Sequence, residues 1–169
     1  MKITILTPEF YNYGALLIGG ILKDAGYNVN IQKGFEKEIN ADIVLFSLHS
    51  TIHLIKYKKE IEKIKGFKIV GGPVSKTPEL IFKYLPVDTV IVGEGETSTV
   101  ELINSLNNNY DNDNFDSIKG IAYKDDDEVI KTEKSAISPM KRPLPLIPQD
   151  ISSENIRGAN VYIETHRGC

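Results

Sequence analysis

The chain has 169 residues, of which 41% are hydrophobic and 25% charged, and its formal net charge is −3. This composition is typical of a globular protein with one domain and a tail, and the acidic balance gives no reason to expect a nucleic-acid partner. No apolar run reaches the roughly 20 residues that a membrane span needs. A single cysteine cannot form an internal disulfide, so we expect a protein of the reducing cytoplasm.

Short apolar strands alternate with helices through the first two thirds of the chain. The expected elements are a strand at Lys2–Thr7, a helix at Ala15–Ala25, strands at Asn28–Gln32 and Asp42–Ser47, a helix at Ile52–Lys65, a strand at Phe67–Gly71, a helix at Thr77–Leu85, a strand at Asp88–Val92 and a helix at Glu96–Leu106. Right-handed crossovers then predict an α/β fold, a three-layer doubly wound parallel sheet of flavodoxin-like order 2-1-3-4-5.

Glycine-rich turns follow the fourth and fifth predicted strands. They read Gly71-Gly72-Pro73 and Gly93-Glu94-Gly95-Glu96. Open α/β sheets bind ligands at this carboxyl edge, and glycine lets the backbone approach a ligand or adopt positive φ. Tight turns alone would also explain the glycines, but two such turns in one sheet favour a binding site. The loop Pro8–Gly14 and the hydroxyl-rich turn Ser47–Thr51 are expected at the same edge.

The last third of the chain differs in character from the first two. Two strand-like runs flank Asp125-Asp126-Asp127, which predicts a β-hairpin whose aspartates form a solvated turn rather than a cation site. Four prolines between 139 and 148 indicate an extended linker, and Asn160–Glu164 reads as one further strand. We therefore divide the chain into a domain at 1–110, a hairpin extension at 111–138, and a linker with a strand at 139–169.

Several of these stretches resemble one known family. Ile69–Pro73 and Val87–Glu96 resemble the amino-terminal cobalamin-binding domain of radical S-adenosylmethionine proteins, and Ile118–Tyr123 is similar to the hairpin of that family. Glu164–Cys169 resembles the first strand of the catalytic barrel, ending at the first cysteine of the CxxxCxxC motif.

The resemblance implies that the chain is an accessory region, cut at that cysteine, whose partner is the radical S-adenosylmethionine barrel of the same longer protein. Cys169 would be a ligand of a [4Fe-4S] cluster, and the cluster and S-adenosylmethionine would bind only in the full-length protein. One cysteine cannot hold such a cluster, so the region alone is expected to have no catalytic activity.

The resemblance also suggests how cobalamin would bind. The family pattern Asp-x-His-x-x-Gly can be set on Gly14, which places Glu9 at the aspartate position and Tyr11 at the histidine position. A neutral phenol is a poor cobalt ligand, so any cobalamin would be held without a histidine ligand, in the His-off mode. Ser47 matches the family's serine after the third strand, whereas His49 stands at its leucine position.

The predicted cofactor-binding residues share the carboxyl edge of the sheet. They are Glu9, Tyr11, Tyr13, Gly14, Ser47, His49, Ser50, Thr51, Gly71, Gly72, Pro73, Gly93, Glu94, Gly95 and Glu96. Gly19-Gly20 indicates either close packing of a helix on the sheet or room for a ligand tail. His49 and His53, four residues apart, could share a helix face but would be a weak metal site without a third ligand.

Other functions fit the sequence less well or remain as alternatives. A degenerate domain without cobalamin, serving as a substrate-docking or scaffolding module, is the alternative that the altered motif positions motivate. A response regulator would need an acidic cluster that Glu9 and Ser47 do not supply, and a dinucleotide site would need a G-x-G-x-x-G motif that does not follow the first strand. If cobalamin binds, we expect Gly72→Val to block entry of its tail without unfolding the sheet.

Overall fold

The structure of the chain, a computed structural model, describes residues 1–108, 112–135 and 143–148. The strands of these ranges are Lys2–Thr7 (β1), Asn28–Lys33 (β2), Ile43–Ser47 (β3), Phe67–Gly71 (β4), Thr89–Ile91 (β5), Ile121–Asp125 (β6) and Glu128–Lys131 (β7). The helices are Tyr13–Asp24 (α1), Ile52–Lys56 (α2), Lys58–Lys63 (α3), Pro78–Tyr84 (α4) and Gly95–Asn108 (α5). Across the described ranges, no helix is both long enough and apolar enough to cross a membrane.

The strands form one sheet of order β2-β1-β3-β4-β5-β6-β7. The first five strands are parallel, whereas β6 is antiparallel to β5 and β7 is antiparallel to β6. The predicted α/β fold, its order 2-1-3-4-5 and the hairpin are therefore confirmed. The hairpin continues the sheet, because Ala122 of β6 pairs with Val90 of β5. The division into three regions stays a prediction. The strand predicted at Asn160–Glu164 and Cys169 lie outside the described residues.

Two apolar cores cover the two faces of the sheet. On one face, strand residues such as Ile5 and Leu45 pack with Leu22 of α1 and Leu102 of α5. On the other face, strand residues of the same elements pack with side chains of α2, α3 and α4, namely Leu54, Ile61, Ile81 and Phe82. The central strands are buried on both sides, which is why their sequences are almost continuously apolar. The three-layer arrangement follows from these two cores.

The helix predicted at Ile52–Lys65 is wrong in one respect, because the chain forms two short helices that meet at Tyr57. The break changes which residues face the core. Ile55 is 70% exposed, whereas the neighbouring Leu54 is buried. The helix predicted at Thr77–Leu85 begins one residue later, at Pro78, and the side chain of Thr77 before it makes no capping hydrogen bond.

The glycine pair of α1 packs against the proline-rich linker. The amide of Leu146 donates to the carbonyl of Leu16 at 2.8 Å, and a Cβ added at Gly20 would lie 2.1 Å from the carbonyl oxygen of Leu144. A Cβ at Gly19 would meet Leu146 at 3.0 Å. The close approach that the sequence predicted is therefore chiefly to the linker, and the tail-groove interpretation of Gly20 is wrong because the linker backbone takes that space.

We expect Gly20→Ala to detach the linker from α1 without unfolding the domain. The new methyl group collides with the Leu144 carbonyl, whereas alanine favours the helix itself by about 1 kcal/mol over glycine. Amide hydrogen exchange at Leu146 should become at least about tenfold faster in this variant. Gly14→Ala is the matched control, since its Cβ would meet only Asn12 Oδ1, at 3.6 Å. Unchanged exchange at Leu146 in the Gly20 variant would contradict the packing.

Candidate functional site

A cavity of about 560 Å³ opens at the carboxyl edge of the sheet. Its floor is apolar and comes from Ile5, Leu45, Ile69 and Ile91, one residue from each of β1, β3, β4 and β5. The cavity spans the switch point between β1 and β3, where the chain direction across the sheet reverses and open α/β folds bind their ligands. Its size lies within the roughly 300–1,000 Å³ of small-molecule and cofactor sites.

Most of the sequence-predicted residues line this cavity. They are Gly14, Ser47, His49, Gly71, Gly72, Pro73, Gly93, Glu94, Gly95 and Glu96. The lining does not include the others, which are Glu9, Tyr11, Tyr13, Ser50 and Thr51. The structure thus brings the loops after β1, β3, β4 and β5 together. Parts of the loops after β1 and β3 nevertheless lie outside the cavity lining.

A side-chain pair joins the loops after β1 and β3. Asn12 caps α1, because its Oδ1 accepts from the amide of Ala15 at 2.9 Å. Asn12 Nδ2 lies 3.0 Å from Ser47 Oγ, and Ser47 Oγ can in turn donate to Asn12 Oδ1 at 3.2 Å. Both residues line the cavity. The cap and the pair together fix the mouth of the cavity on the β1 side.

The two glycines after β4 serve different purposes. Gly72 has φ +97°, and a Cβ there would lie 2.5 Å from the carbonyl oxygen of Leu48. Gly71 has ordinary φ, and among the described residues a Cβ there would meet only Ile91 Cβ, at 3.9 Å. Glycine is therefore required at position 72 by the backbone conformation, whereas glycine at position 71 leaves space in the cavity. The expectation that Gly72→Val fills the groove and leaves the fold untouched is wrong for this reason.

The turn after β5 completes the far wall of the cavity. Gly93 has φ +88°, and no atom of the described residues lies within 4 Å of a Cβ built on it. Gly95 begins α5, and its added Cβ would meet Ile91 Cγ2 at 3.3 Å. Glu94 and Glu96 bring carboxylates to the lining. This wall is acidic, so it suits polar groups such as amides rather than further anions.

Several predicted residues have other surroundings. Tyr11 packs against the core between the sheet, α1 and α5, with the ammonium of Lys33 5.7 Å from its ring centroid. Tyr13 is the first residue of α1. Ser50 Oγ accepts from the amide of Ile52 at 3.3 Å, and Thr51 is exposed. The helix that follows Thr51, α2, has only five residues, which is too short to form a phosphate-binding helix end.

Glu9 belongs to a polar cluster beside the cavity. Its Oε1 accepts from Lys56 Nζ at 2.7 Å and from the Tyr57 hydroxyl at 2.9 Å, and its Oε2 lies 3.8 Å from His53 Nε2. The hydrogen bond from Lys56 lowers the pKa of the Glu9 carboxyl. Burial lowers the pKa of His53, and nearby His49 adds to this effect. Both effects favour the neutral form of the His53 ring.

The structure also adds lining residues that the sequence analysis missed. They are chiefly Phe10, Asn12, Ser75 and Lys76. Asn12 carries a recognisable signal, since an asparagine just before a helix is a preferred cap. Ser75 and Lys76 lie in a 3₁₀ turn at Pro73–Lys76, and no periodicity in the sequence marks it. The Ser75 hydroxyl donates to the carbonyl of Gly72 at 2.7 Å, which holds this turn under the cavity.

Comparison with known proteins gives several relatives, although no protein-family model matches the chain. A protein of Methanocaldococcus jannaschii, provisionally named a methylthiotransferase, is 45% identical over the whole of this chain. The radical S-adenosylmethionine methyltransferase TsrM of Kitasatospora setae, solved with cobalamin and a [4Fe-4S] cluster bound, superposes on 87% of the chain with a TM-score of 0.66 and 15% identity. The predicted resemblance is confirmed. The chain is similar to the cobalamin-binding-like domain of radical S-adenosylmethionine proteins.

The relatives are much longer than this chain. It spans 37% of the length of the M. jannaschii protein and 31% of the TsrM chain. The anaerobic magnesium-protoporphyrin IX monomethyl ester cyclase of Synechocystis is 30% identical over 139 residues, which is 70% of this chain and 27% of that protein. The aligned region is therefore one part of a larger enzyme in each relative.

Proposed function

We propose that this chain is the cobalamin-binding region of a radical S-adenosylmethionine enzyme that transfers a methyl or methylthio group. The observation that carries the proposal is the cavity at the switch point, lined by the glycine turns after β4 and β5. The named relatives support it, because one is provisionally a methylthiotransferase and the fold neighbour TsrM holds cobalamin. The region would serve as the cofactor-binding part of a protein that works in the cytoplasm.

The residues present fit the nucleotide tail of cobalamin. The apolar floor formed by the four strand residues suits a flat aromatic base, and Gly71 lets it lie close to the β4 backbone. The Asn12–Ser47 pair offers hydrogen bonds at the mouth, and Lys76 places a cation in the lining for the tail phosphate. The corrin would then rest over the edge of the sheet. Cobalamin, when bound, supplies a cobalt centre that can carry a methyl group.

We propose that cobalamin binds without a histidine ligand from the β1 loop. Tyr11 stands at that position in the sequence, but it packs against the core and does not line the cavity. His49 is an imidazole within the lining, so it is the residue that tests this mode. A His49→Ala variant should give the same absorbance spectrum of bound cobalamin as the unsubstituted chain. A spectrum that changes from imidazole-bound to base-off in His49→Ala would contradict the His-off mode.

The catalytic chemistry is proposed to belong to the rest of the full-length protein. A [4Fe-4S] cluster that leaves one iron for S-adenosylmethionine needs three thiolates, and this chain contains one cysteine, Cys169. Cys169 would be one of the cluster ligands, as the sequence resemblance implies. Neither Cys169 nor the preceding strand is among the described residues, so their place in the barrel rests on the sequence resemblance.

A visible-absorbance titration with hydroxocobalamin and methylcobalamin tests the proposed function. We expect the full-length protein to take up one cobalamin and to show a base-off spectrum. The same titration on the 169-residue chain reports whether this region alone completes the pocket. Uptake by the full-length protein only would mean that the barrel supplies part of the pocket. No uptake by either would overturn the proposal.

The second candidate is a docking or scaffolding module without cobalamin. The observation that favours it is a set of exposed apolar side chains near the same edge. Phe10 is 49% exposed, Ile52 is 68% exposed and Ile55 is 70% exposed. Large apolar side chains in such positions often mark a protein contact. Full-length protein that binds no cobalamin but loses substrate binding on Ile52→Asp and Ile55→Asp would favour this candidate.

A further inference from the structure

Glu9, His49 and His53 meet beside the cavity, from two loops and α2. One ligand atom of each residue lies within 4.8 Å of the corresponding atom of the other two. The ring centroids of the two histidines are 4.3 Å apart, with the planes nearly perpendicular. The sequence alone pointed to a histidine pair that lacked a third ligand, and the fold supplies Glu9 as that ligand from the loop after β1.

The spacing is close to that of a metal site. Zn²⁺ binds histidine nitrogen and carboxylate oxygen at about 2.0–2.2 Å, so tetrahedral ligand atoms are separated by about 3.4 Å. Glu9 Oε2 and His53 Nε2 are already 3.8 Å apart. A metal ion would need the three ligand atoms, now within 4.8 Å of one another, to draw together by about 1 Å.

The two imidazoles also lack competing partners. Nδ1 of His49 and Nδ1 of His53 are buried, and neither has a hydrogen-bond partner in the described part of the chain. Such buried polar atoms without a partner are exceptions in folded proteins. The side chain of His53 is only 4% exposed, so its ring is largely removed from bulk solvent. Each ring therefore has one nitrogen that no hydrogen-bonding group of the described residues occupies.

We propose that Glu9, His49 and His53 form a binding site for a divalent transition metal of the zinc class, with the remaining coordination position open to the cavity side. Two histidines and one carboxylate with an open position are a ligand set that zinc uses. His49 lines the cavity, so the metal would lie beside any molecule bound there. The site is independent of cobalamin, because none of its three ligands is needed for the proposed tail contacts.

Lys56 and Tyr57 hold the carboxylate in place. Both donate to Oε1 of Glu9, which leaves Oε2 directed toward His53. Outer hydrogen bonds of this kind orient a ligating group and are part of most metal sites. The ammonium of Lys56 contacts Oε1 of Glu9, whereas the metal would bind Oε2.

The experiment measures Zn²⁺ binding by competition with a chromophoric chelator, and Co²⁺ binding by its ligand-field absorbance. The 169-residue chain is used with His166→Ala and Cys169→Ser, because these residues could also bind metal. We expect one Zn²⁺ per chain, and at least a tenfold weaker affinity in both Glu9→Gln and His49→Gln. Glu62→Gln is the matched control, since Glu62 is likewise exposed and pairs with a lysine, Lys58, at 3.8 Å.

The test uses substitutions at Glu9 and His49 because His53 is buried and a His53→Gln variant could fail to fold. No stoichiometric Zn²⁺ binding in the His166→Ala and Cys169→Ser background would overturn the proposal. Binding that Glu9→Gln and His49→Gln leave unchanged would overturn it as well, because the metal would then lie elsewhere. Cobalamin uptake by chelator-treated protein is measured separately, so failure of the metal site and failure of the proposed function are distinguishable.

Discussion

Gly71→Leu is expected to abolish cobalamin uptake while the sheet stays folded. A Cβ on Gly71 has open space in front of it, with Ile91 Cβ at 3.9 Å, and the leucine side chain would extend into the cavity proposed for the nucleotide tail. Gly71 ends β4, where a side chain is compatible with the extended backbone. We expect affinity to fall at least about a hundredfold, which corresponds to about 2.8 kcal/mol of binding free energy.

The measurement is a hydroxocobalamin titration of the full-length protein and its Gly71→Leu variant, with circular dichroism to verify the fold. Lys124→Leu is the control, because it adds the same side chain at an exposed strand position outside the cavity lining. A folded Gly71→Leu variant with the affinity of the unsubstituted protein would mean that the tail does not occupy this cavity. The same loss in Lys124→Leu would point to a general effect of surface leucine.

The order of the sheet could be predicted because the sequences of its central strands are almost continuously apolar. Ile43–Ser47 is apolar on both faces and stands between helical segments, which only a covered parallel strand explains. The turns at Gly71 and Gly93 mark the strand ends within one or two residues. The alternation of strands with helices, the length of each strand and the glycines at strand ends are local properties. Such properties can be read directly from a sequence.

Contacts between distant segments were less predictable. The glycines of α1 suggested a close approach, but nothing in the sequence around Gly20 indicates that the approaching chain is the linker at Leu144. Likewise, the apolar spacing of 52–65 fits one helix, and the break at Tyr57 depends on tertiary contacts. The ring of Tyr57 stacks on Phe35 and its hydroxyl bonds Glu9, and both partners come from other loops.

The site was predicted at the correct edge, but individual side chains were not placed reliably. Motif alignment put Tyr11 in the cofactor loop, whereas its partly buried side chain packs against the core on the α1 and α5 face of the sheet. The same alignment gave His49 as a departure from the pattern. The fold instead brings His49 against His53 and Glu9, a juxtaposition across 44 residues of sequence that no spacing rule reveals.

Gly72→Val is expected to destabilise the domain strongly. Its backbone, at φ +97° and ψ −177°, lies in a region that is essentially restricted to glycine and costs other residues about 1–3 kcal/mol. The added Cβ would also lie 2.5 Å from the Leu48 carbonyl oxygen. We expect a loss of about 3 kcal/mol or more in the free energy of unfolding, seen as a fall in Tm of roughly 6–12 °C for a chain of this size.

Gly93→Val separates the two causes of this loss. Gly93 also has positive φ, +88°, but a Cβ there meets no atom within 4 Å in the described part of the chain. The Gly93→Val variant should therefore have the backbone strain without the steric contact, and its Tm should fall less than that of Gly72→Val. Equal Tm values for the two variants would contradict the contact with Leu48.

The contact with Leu48 also decides how cobalamin data on Gly72→Val should be interpreted. Leu48 donates its amide to the carbonyl of Gly71 at 2.9 Å, so a side chain at Gly72 pushes directly on the segment that connects Ser47 and His49. Weak cobalamin binding by this variant would then report a displaced β3 loop rather than a filled groove. Gly71→Leu fills the cavity without this displacement, because its side chain points away from the Leu48 backbone into open space. Comparison of these two neighbouring substitutions distinguishes occupancy of the cavity from integrity of the loops around it.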